Sequence, residues 1–110
     1  MLAGIFQCEG GGLSPLERFS QLEQAISGKQ LDLVVCPELF LSGYAVGDDL
    51  RQFAEVQDGA FSNRMANLAK KQGTAIVYGY PEQQSDRLFN SVICIDKNGC
   101  IVSNHRKMLL

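Results

Sequence analysis

The run LDLVVC (Leu31–Cys36) is apolar and β-branched along almost its whole length, and Pro37 stops it. An unbroken run of this kind reads as a central strand buried on both faces, because a strand with one wet face alternates instead. Such a strand calls for covering helices, and the flanking segments carry helical signals. SPLERFSQLEQAI (Ser14–Ile26) offers Ser14 as N-cap, Pro15 at the first helical position and Glu17 three residues after the cap. Leu16, Phe19, Leu22, Ala25 and Ile26 recur at helical spacing, and Gly28 closes the segment.

The rest of the chain continues the alternation. LAGIFQC (Leu2–Cys8) reads as a first strand, followed by the turn Gly10–Gly12. DDLRQFAEV, with Asp48 or Asp49 near its start, reads as a short helix. SNRMANLAKKQG reads as a firmer one, with Ser62 as its cap, Met65, Leu68 and Ala69 facing inward, and Gly73 as its stop. Strands follow at Thr74–Pro81 and Arg87–Asp96. The Asn-Gly signal within Lys97–Gly99 then turns the chain back into CIVSNHRK. The order β-α-β-α-β-β-β predicts an α/β layer, parallel early and closing on a hairpin.

Composition excludes several classes. The 110 residues suffice for one small domain, and 45% hydrophobic with 20% charged residues is a globular balance. A net charge of −2 with scattered Lys and Arg argues against nucleic acid as a partner. No apolar run is long enough for a membrane span, and the N-terminus lacks the basic region of a signal peptide. Cys8, Cys36, Cys94 and Cys100 form no Cys-x-x-Cys pair, and His105 is not spaced as a metal partner. They read as reduced, buried residues of a cytoplasmic protein. EGGGLSP lacks the spacing of a dinucleotide-binding turn.

Two strand ends carry candidate chemistry. Glu38 follows the end of the Leu31–Cys36 run, where open α/β sheets bind ligands. Enclosed by Phe40 and Tyr44 it would be set up as a general base; as a loop residue it would cap a helix or face solvent. Lys107 follows the last strand and either stabilises an oxyanion or forms a solvated basic end. Asn90, Phe40 and Tyr44 are candidates for a substrate pocket or for core packing. Asp48 and Asp49 either recognise a cationic substrate or start a helix.

Three ordered segments resemble the nitrilase superfamily of carbon–nitrogen hydrolases. PELFLSGY (Pro37–Tyr44) matches its Pro-Glu-x-x-x-x-Gly-Tyr signature. FNSVICIDKNG (Phe89–Gly99) is similar to its Asn-Ser hairpin. HRKMLL fits its second signature, an Arg-Lys followed by a leucine, with His105 where an aromatic is common and Leu109 where a histidine is common. The resemblance spans essentially the whole chain, with a weak lean toward the aliphatic amidase-like and carbamoyl-amide hydrolase branches.

The resemblance implies a four-layer α-β-β-α sandwich, of which residues 1–110 would form the N-terminal part. It implies a Glu-Lys-Cys triad acting on a small amide or carbamoyl substrate, with Glu38 as general base and Lys107 as oxyanion-stabilising cation. No metal or organic cofactor is implied, and a homo-oligomer is expected. The nucleophilic cysteine belongs to a third signature beyond Leu110, so the chain alone is expected to be inactive. Cys36, in a buried run and separated from Glu38 by Pro37, is not expected to replace it. The alternative reading is a non-catalytic fragment that only associates with partners.

Overall fold

A computed structural model describes residues 1–7, 13–38, 40–41 and 54–108. Its elements are β1 (Ala3–Ile5), α1 (Pro15–Ile26), β2 (Leu33–Val35), α2 (Ala60–Gln72), β3 (Ala75–Gln84), β4 (Arg87–Ile95) and β5 (Ile101–Met108). The five strands form one sheet in the order β1-β2-β3-β4-β5. β1, β2 and β3 are parallel neighbours, while β3–β4 and β4–β5 are antiparallel. Both parallel crossovers step the same way along the sheet. Right-handed connections therefore carry α1 and α2 to the same face.

That face holds the core. Val34, Ile76, Tyr78, Tyr80, Ile93 and Ile95 meet Phe19, Leu22 and Ile26 of α1 and Phe61, Met65, Leu68 and Ala69 of α2. The aromatic rings pack edge-on or tilted, with Phe61–Tyr78 centroids 5.7 Å apart and Phe40–Tyr78 centroids 6.5 Å apart. The opposite face carries Ile5, Val35 and Val92, which are 81%, 37% and 37% exposed. Among the described residues β2 is covered on one side, where its apolar run predicts cover on both: Val34 is buried, but Val35 faces outward. The described chain places helices over one side of the sheet only.

The helix ends follow local chemistry, with one exception. At α1, Ser14 Oγ accepts from the Glu17 amide at 3.1 Å and Glu17 Oε1 accepts from the Ser14 amide at 2.9 Å, a complete capping box. At α2 the expected cap, Ser62, lies inside the helix and is buried, its hydroxyl donating to the Gly59 carbonyl at 3.0 Å. Gly59 is the N-cap, and the carboxylate of Glu55 accepts from the Phe61 amide at 2.9 Å in place of a local side chain. A Cβ on Gly59 would lie 2.5 Å from Glu55 Oε1, so a larger residue there would displace the carboxylate that caps the helix.

The short helix expected over DDLRQFAEV falls largely outside the described residues. At its described end, Glu55 is extended and bridges Glu82 of β3.

Pro81, expected to end its strand, lies inside β3. Gly79 and Gln83 turn their amides toward β2 and the Glu55 segment, so the nitrogen of Pro81 faces that side as well, beyond the end of β2. No ladder bond to β4 is lost, and the strand continues. The β3–β4 connection is a two-residue turn through Ser85 and Asp86, with Ser85 at φ 56°. It lacks the glycine that advertises such turns. The β4–β5 turn is the expected one: Gly99 adopts φ 83°, and Asp96 Oδ1 accepts from the amides of Asn98 and Cys100, each at 2.9 Å. Cys100 is exposed and Cys94 half-buried, contrary to the expectation of buried cysteines; Cys36 is buried, and Cys8 lies outside the described residues. Among the described residues no helix is long and apolar enough to cross a membrane.

Candidate functional site

Strand ends converge on one rim of the sheet. β2 stops at Val35, and Pro37 then turns the chain: the Phe40 amide donates to the Pro37 carbonyl at 3.1 Å. The turn is pinned to β3, whose Gly79 donates to Pro37 at 3.2 Å and accepts from Leu41 at 3.1 Å. Glu38 sits within this pinned turn. Its carboxylate Oε1 accepts from Asn90 Nδ2 of β4 at 3.0 Å.

Asn90 lies opposite Pro81 on β3 and opposite Lys107 on β5. Directly opposed residues of antiparallel strands project from the same face, so Asn90 and Lys107 share the face not covered by helices. Glu38, Asn90 and Lys107 thus come together from three separate segments. Glu38 and Lys107 are exposed, and Asn90 is 8% exposed.

The other candidates separate from this group. Phe40 does not enclose Glu38: it is 1% exposed and packs against Phe6, Phe61 and Tyr78 in the core. Its backbone turns after Pro37, so residues on either side of the turn point in different directions. Tyr44, Asp48 and Asp49 lie outside the described residues. Among the described residues, no group of three or more His, Cys, Asp or Glu side chains is arranged to hold a metal ion.

Behind the rim, on the helix-covered face, lies a polar cluster that the sequence did not reveal. Glu82 of β3 is 1% exposed. Its Oε1 accepts from Arg106 Nε at 2.8 Å, Ser91 Oγ at 2.7 Å and Asn104 Nδ2 at 3.0 Å, and its Oε2 accepts from Arg106 Nη2 at 2.9 Å. Tyr80 donates its hydroxyl to Asn104 Oδ1 at 2.9 Å. Burial pushes the Glu82 carboxyl up, but the hydrogen bonds from Arg106, Ser91 and Asn104 outweigh it and hold the group below its ordinary value.

The cluster ties together β3, β4 and β5. β5 alternates, so Asn104 and Arg106 anchor the strand on one face while His105 and Lys107 emerge on the other. A one-residue slip of β5 would turn Lys107 toward the helices, and the three bonds that Asn104 and Arg106 make to Glu82 oppose that slip. The signal in the sequence was a charged residue in the polar stretch after Pro81, a pattern indistinguishable from a loop.

Comparison with known proteins places the chain in a family. The sequence profile described as carbon-nitrogen hydrolase matches residues 2–110. The chain is 40% identical over 110 residues to the hydrolase in the pqqF 5′ region of Pseudomonas protegens, covering 97% of this chain and 39% of that protein. It is 31% identical over 96 residues to an omega-amidase of Danio rerio, covering 86% of this chain and 34% of that protein. The chain therefore spans about two-fifths or less of the length of these curated relatives.

Among solved structures, the amidase from Nesterenkonia sp. AN1 superposes with a TM-score of 0.79 at 23% identity, over 96% of this chain and 43% of that one. A glutamate-to-glutamine variant of that amidase, with acrylamide added at its active-site cysteine, gives a TM-score of 0.80 at 22% identity, with the same coverage. These similarities establish the fold: a mixed α/β sheet with helices that forms part of a nitrilase-like domain.

Proposed function

This chain belongs to the carbon–nitrogen hydrolase family, and from that premise we propose that, in the whole protein, Glu38 and Lys107 serve one active site that hydrolyses a small amide or carbamoyl compound. The observation that carries the reading is the hydrogen bond from Asn90 to Glu38, together with the register that sets Asn90 opposite Lys107. A carboxylate and an ammonium then stand on one open face, at the rim where α/β sheets bind ligands.

The third group of the proposed triad is a cysteine outside residues 1–110. The variant amidase that carries acrylamide on its active-site cysteine supports this assignment by analogy. Glu38 accepts the thiol proton, and the thiolate attacks the carbonyl carbon. Charge develops on the carbonyl oxygen, where the fixed ammonium of Lys107 stabilises it. The carbon–nitrogen bond breaks as the proton passes from Glu38 to the departing nitrogen, leaving a thioester and ammonia or an amine. Glu38 then takes a proton from water, the hydroxide attacks the thioester, and the acid leaves as the thiol is restored. Lys107 stabilises the second tetrahedral intermediate in the same way. The sequence of steps uses no metal or organic cofactor.

The test is substitution in the full-length protein. Glu38→Gln keeps the shape of the side chain and removes the proton acceptor. Lys107→Met keeps most of the apolar stem and removes the charge. Each should lower kcat by at least about a hundredfold with the fold retained, the scale expected for losing a general base or an oxyanion donor. A correctly folded variant of either kind with near-normal turnover of small amides would refute the assignment.

A further inference from the structure

The side chain of Asn90 is almost enclosed, at 8% exposed, yet only half of its amide is used. Its Nδ2 donates to Glu38 Oε1 at 3.0 Å. Its Oδ1 is sealed from solvent, and among the described residues nothing donates to it. The orientation of the amide is not arbitrary. An ionised carboxylate only accepts, so the NH₂ must face Glu38 and the oxygen must face away from it. A buried amide oxygen is almost always bonded, so this one marks the place of a donor.

The neighbours of Asn90 narrow the identity of that donor. On β3 the opposed residue is Pro81, which has no N–H and an apolar ring. On β5 the opposed residue is Lys107, on the same face, with Cβ atoms about 5 Å apart in such a pair. Its ammonium has three donors and no acceptor, and its four-carbon stem is exposed and long enough to fold back over a short amide. His105, opposite Val92, is a diagonal neighbour roughly 7–8 Å away in the same geometry.

We infer that Asn90 is a positioning residue that joins the two charged groups of the site: Nδ2 holds the Glu38 carboxylate and Oδ1 holds the Lys107 ammonium. This role rests on the reading of Glu38 and Lys107 given above. A carboxylate and an ammonium on one face tend to collapse into a direct ion pair, which would occupy the base and the oxyanion donor together. An amide placed between them satisfies one bond of each. Glu38 keeps Oε2 for the thiol proton, and Lys107 keeps two N–H groups for the carbonyl oxygen. The amide also fixes their separation, which a reaction using both requires.

The experiment uses the full-length protein and the near-isosteric variants Asn90→Leu and Asn90→Asp, with the active fraction counted by titrating the active-site thiol. Per active site, Asn90→Leu should lower kcat about tenfold or more, the scale of a lost bond to a charged group. KM should change by less than about threefold, since the amide does not hold substrate. The acidic limb of the pH dependence of kcat/KM should move to higher pH in Asn90→Leu, because a carboxylate loses a donor to its charged form. It should rise further in Asn90→Asp, where a like charge replaces that donor.

The side chains of Lys107 and His105 from β5 and Cys94 from β4 share this face, whereas Val77, Gly79 and Pro81 of β3 carry no charge. The limb therefore belongs to Glu38 only if Glu38→Gln abolishes it, which is the expected control. In a crystal structure of the full-length protein, Asn90 Oδ1 and Lys107 Nζ should lie within about 3.2 Å. A lowered amplitude with an unmoved limb would make Asn90 a packing residue and overturn this inference alone, as would an Oδ1–Nζ separation above about 5 Å. Near-normal turnover in Glu38→Gln or Lys107→Met would instead overturn the underlying reading, and this role with it.

Discussion

Glu82 shows how one buried charge acts on both faces of a sheet. Its carboxylate is satisfied by four hydrogen bonds, two of them from Arg106, whose side chain is 36% exposed. Replacing Glu82 with Gln leaves a guanidinium without its counter-charge and a glutamine NH₂ facing other donors. We expect a loss of about 2–3 kcal/mol, read from the urea midpoint of the full-length protein. The pH dependence follows from the direction of the shift. The folded-state carboxyl titrates below its ordinary value of 4.5, so its stabilisation is complete above that value and is lost as pH falls through the lower folded-state value. Glu55 acts in the opposite direction: burial raises its carboxyl against the amides of Phe61 and Ser62. The informative quantity is therefore the difference between Glu82→Gln and wild type, which should shrink on acidification below about pH 4. A difference that stays constant from pH 7 to pH 3 would show that Glu82 is not the stabilising anion.

At the scale of elements, the β4–β5 hairpin determines whether Lys107 reaches the rim. Its turn depends on Gly99, which adopts φ 83° and whose added Cβ would lie 3.0 Å from the Ala66 carbonyl of α2. Gly99→Ala therefore combines left-handed backbone strain with a contact that helix backbone cannot easily relieve, and should cost about 1–3 kcal/mol. Its effect on turnover should be smaller than that of Lys107→Met, because Glu82 still anchors Arg106 and Asn104 in register. Thermal unfolding and amide turnover of the same preparation test both parts. An unchanged melting temperature would mean that the turn relaxes without cost. A second element-scale expectation concerns the start of α1: Ser14→Ala removes half of a capping box and should cost about 1 kcal/mol without altering the rim.

At the scale of the whole molecule, one face of the sheet is covered by helices and the other displays Ile5, Val35 and Val92. Isolated as a 110-residue chain, such a face should drive self-association, helped by the edge strands β1 and β5. Sedimentation velocity at low micromolar concentration should show species larger than a monomer; a monomer with a cooperative thermal transition would contradict this. The same isolated chain should not turn over small amides, because Glu38 and Lys107 alone offer no covalent route. Activity that disappears in Cys36→Ala would reverse that expectation and make the buried Cys36 the nucleophile.

The sequence by itself determined the succession of elements and the family. Those depend on local signals: the Ser14–Glu17 capping box, the helical spacing of Phe19, Leu22 and Ile26, the Asn-Gly turn before β5, and the Pro-Glu and Arg-Lys pairs at strand ends. Tertiary structure decided what depends on neighbours distant in the chain. The apolar run of β2 could not show that helices would cover one face only, because that follows from both crossovers stepping the same way. Pro81 could not show that its nitrogen faces beyond the end of β2. Ser62 lost the cap to Gly59 because Glu55 arrives from outside the helix. Glu82 looked like a loop residue until Ser91, Asn104 and Arg106 converged on it from two other strands. Phe40 and Asn90, both pocket candidates in the sequence, parted for the same reason: the turn after Pro37 sends the ring of Phe40 into the core, while pairing of β4 with β5 sets Asn90 between Glu38 and Lys107. Local signals fix elements because they act through a few bonds of the same backbone, whereas a site assembled from a turn and two strands exists only once the sheet has fixed their register.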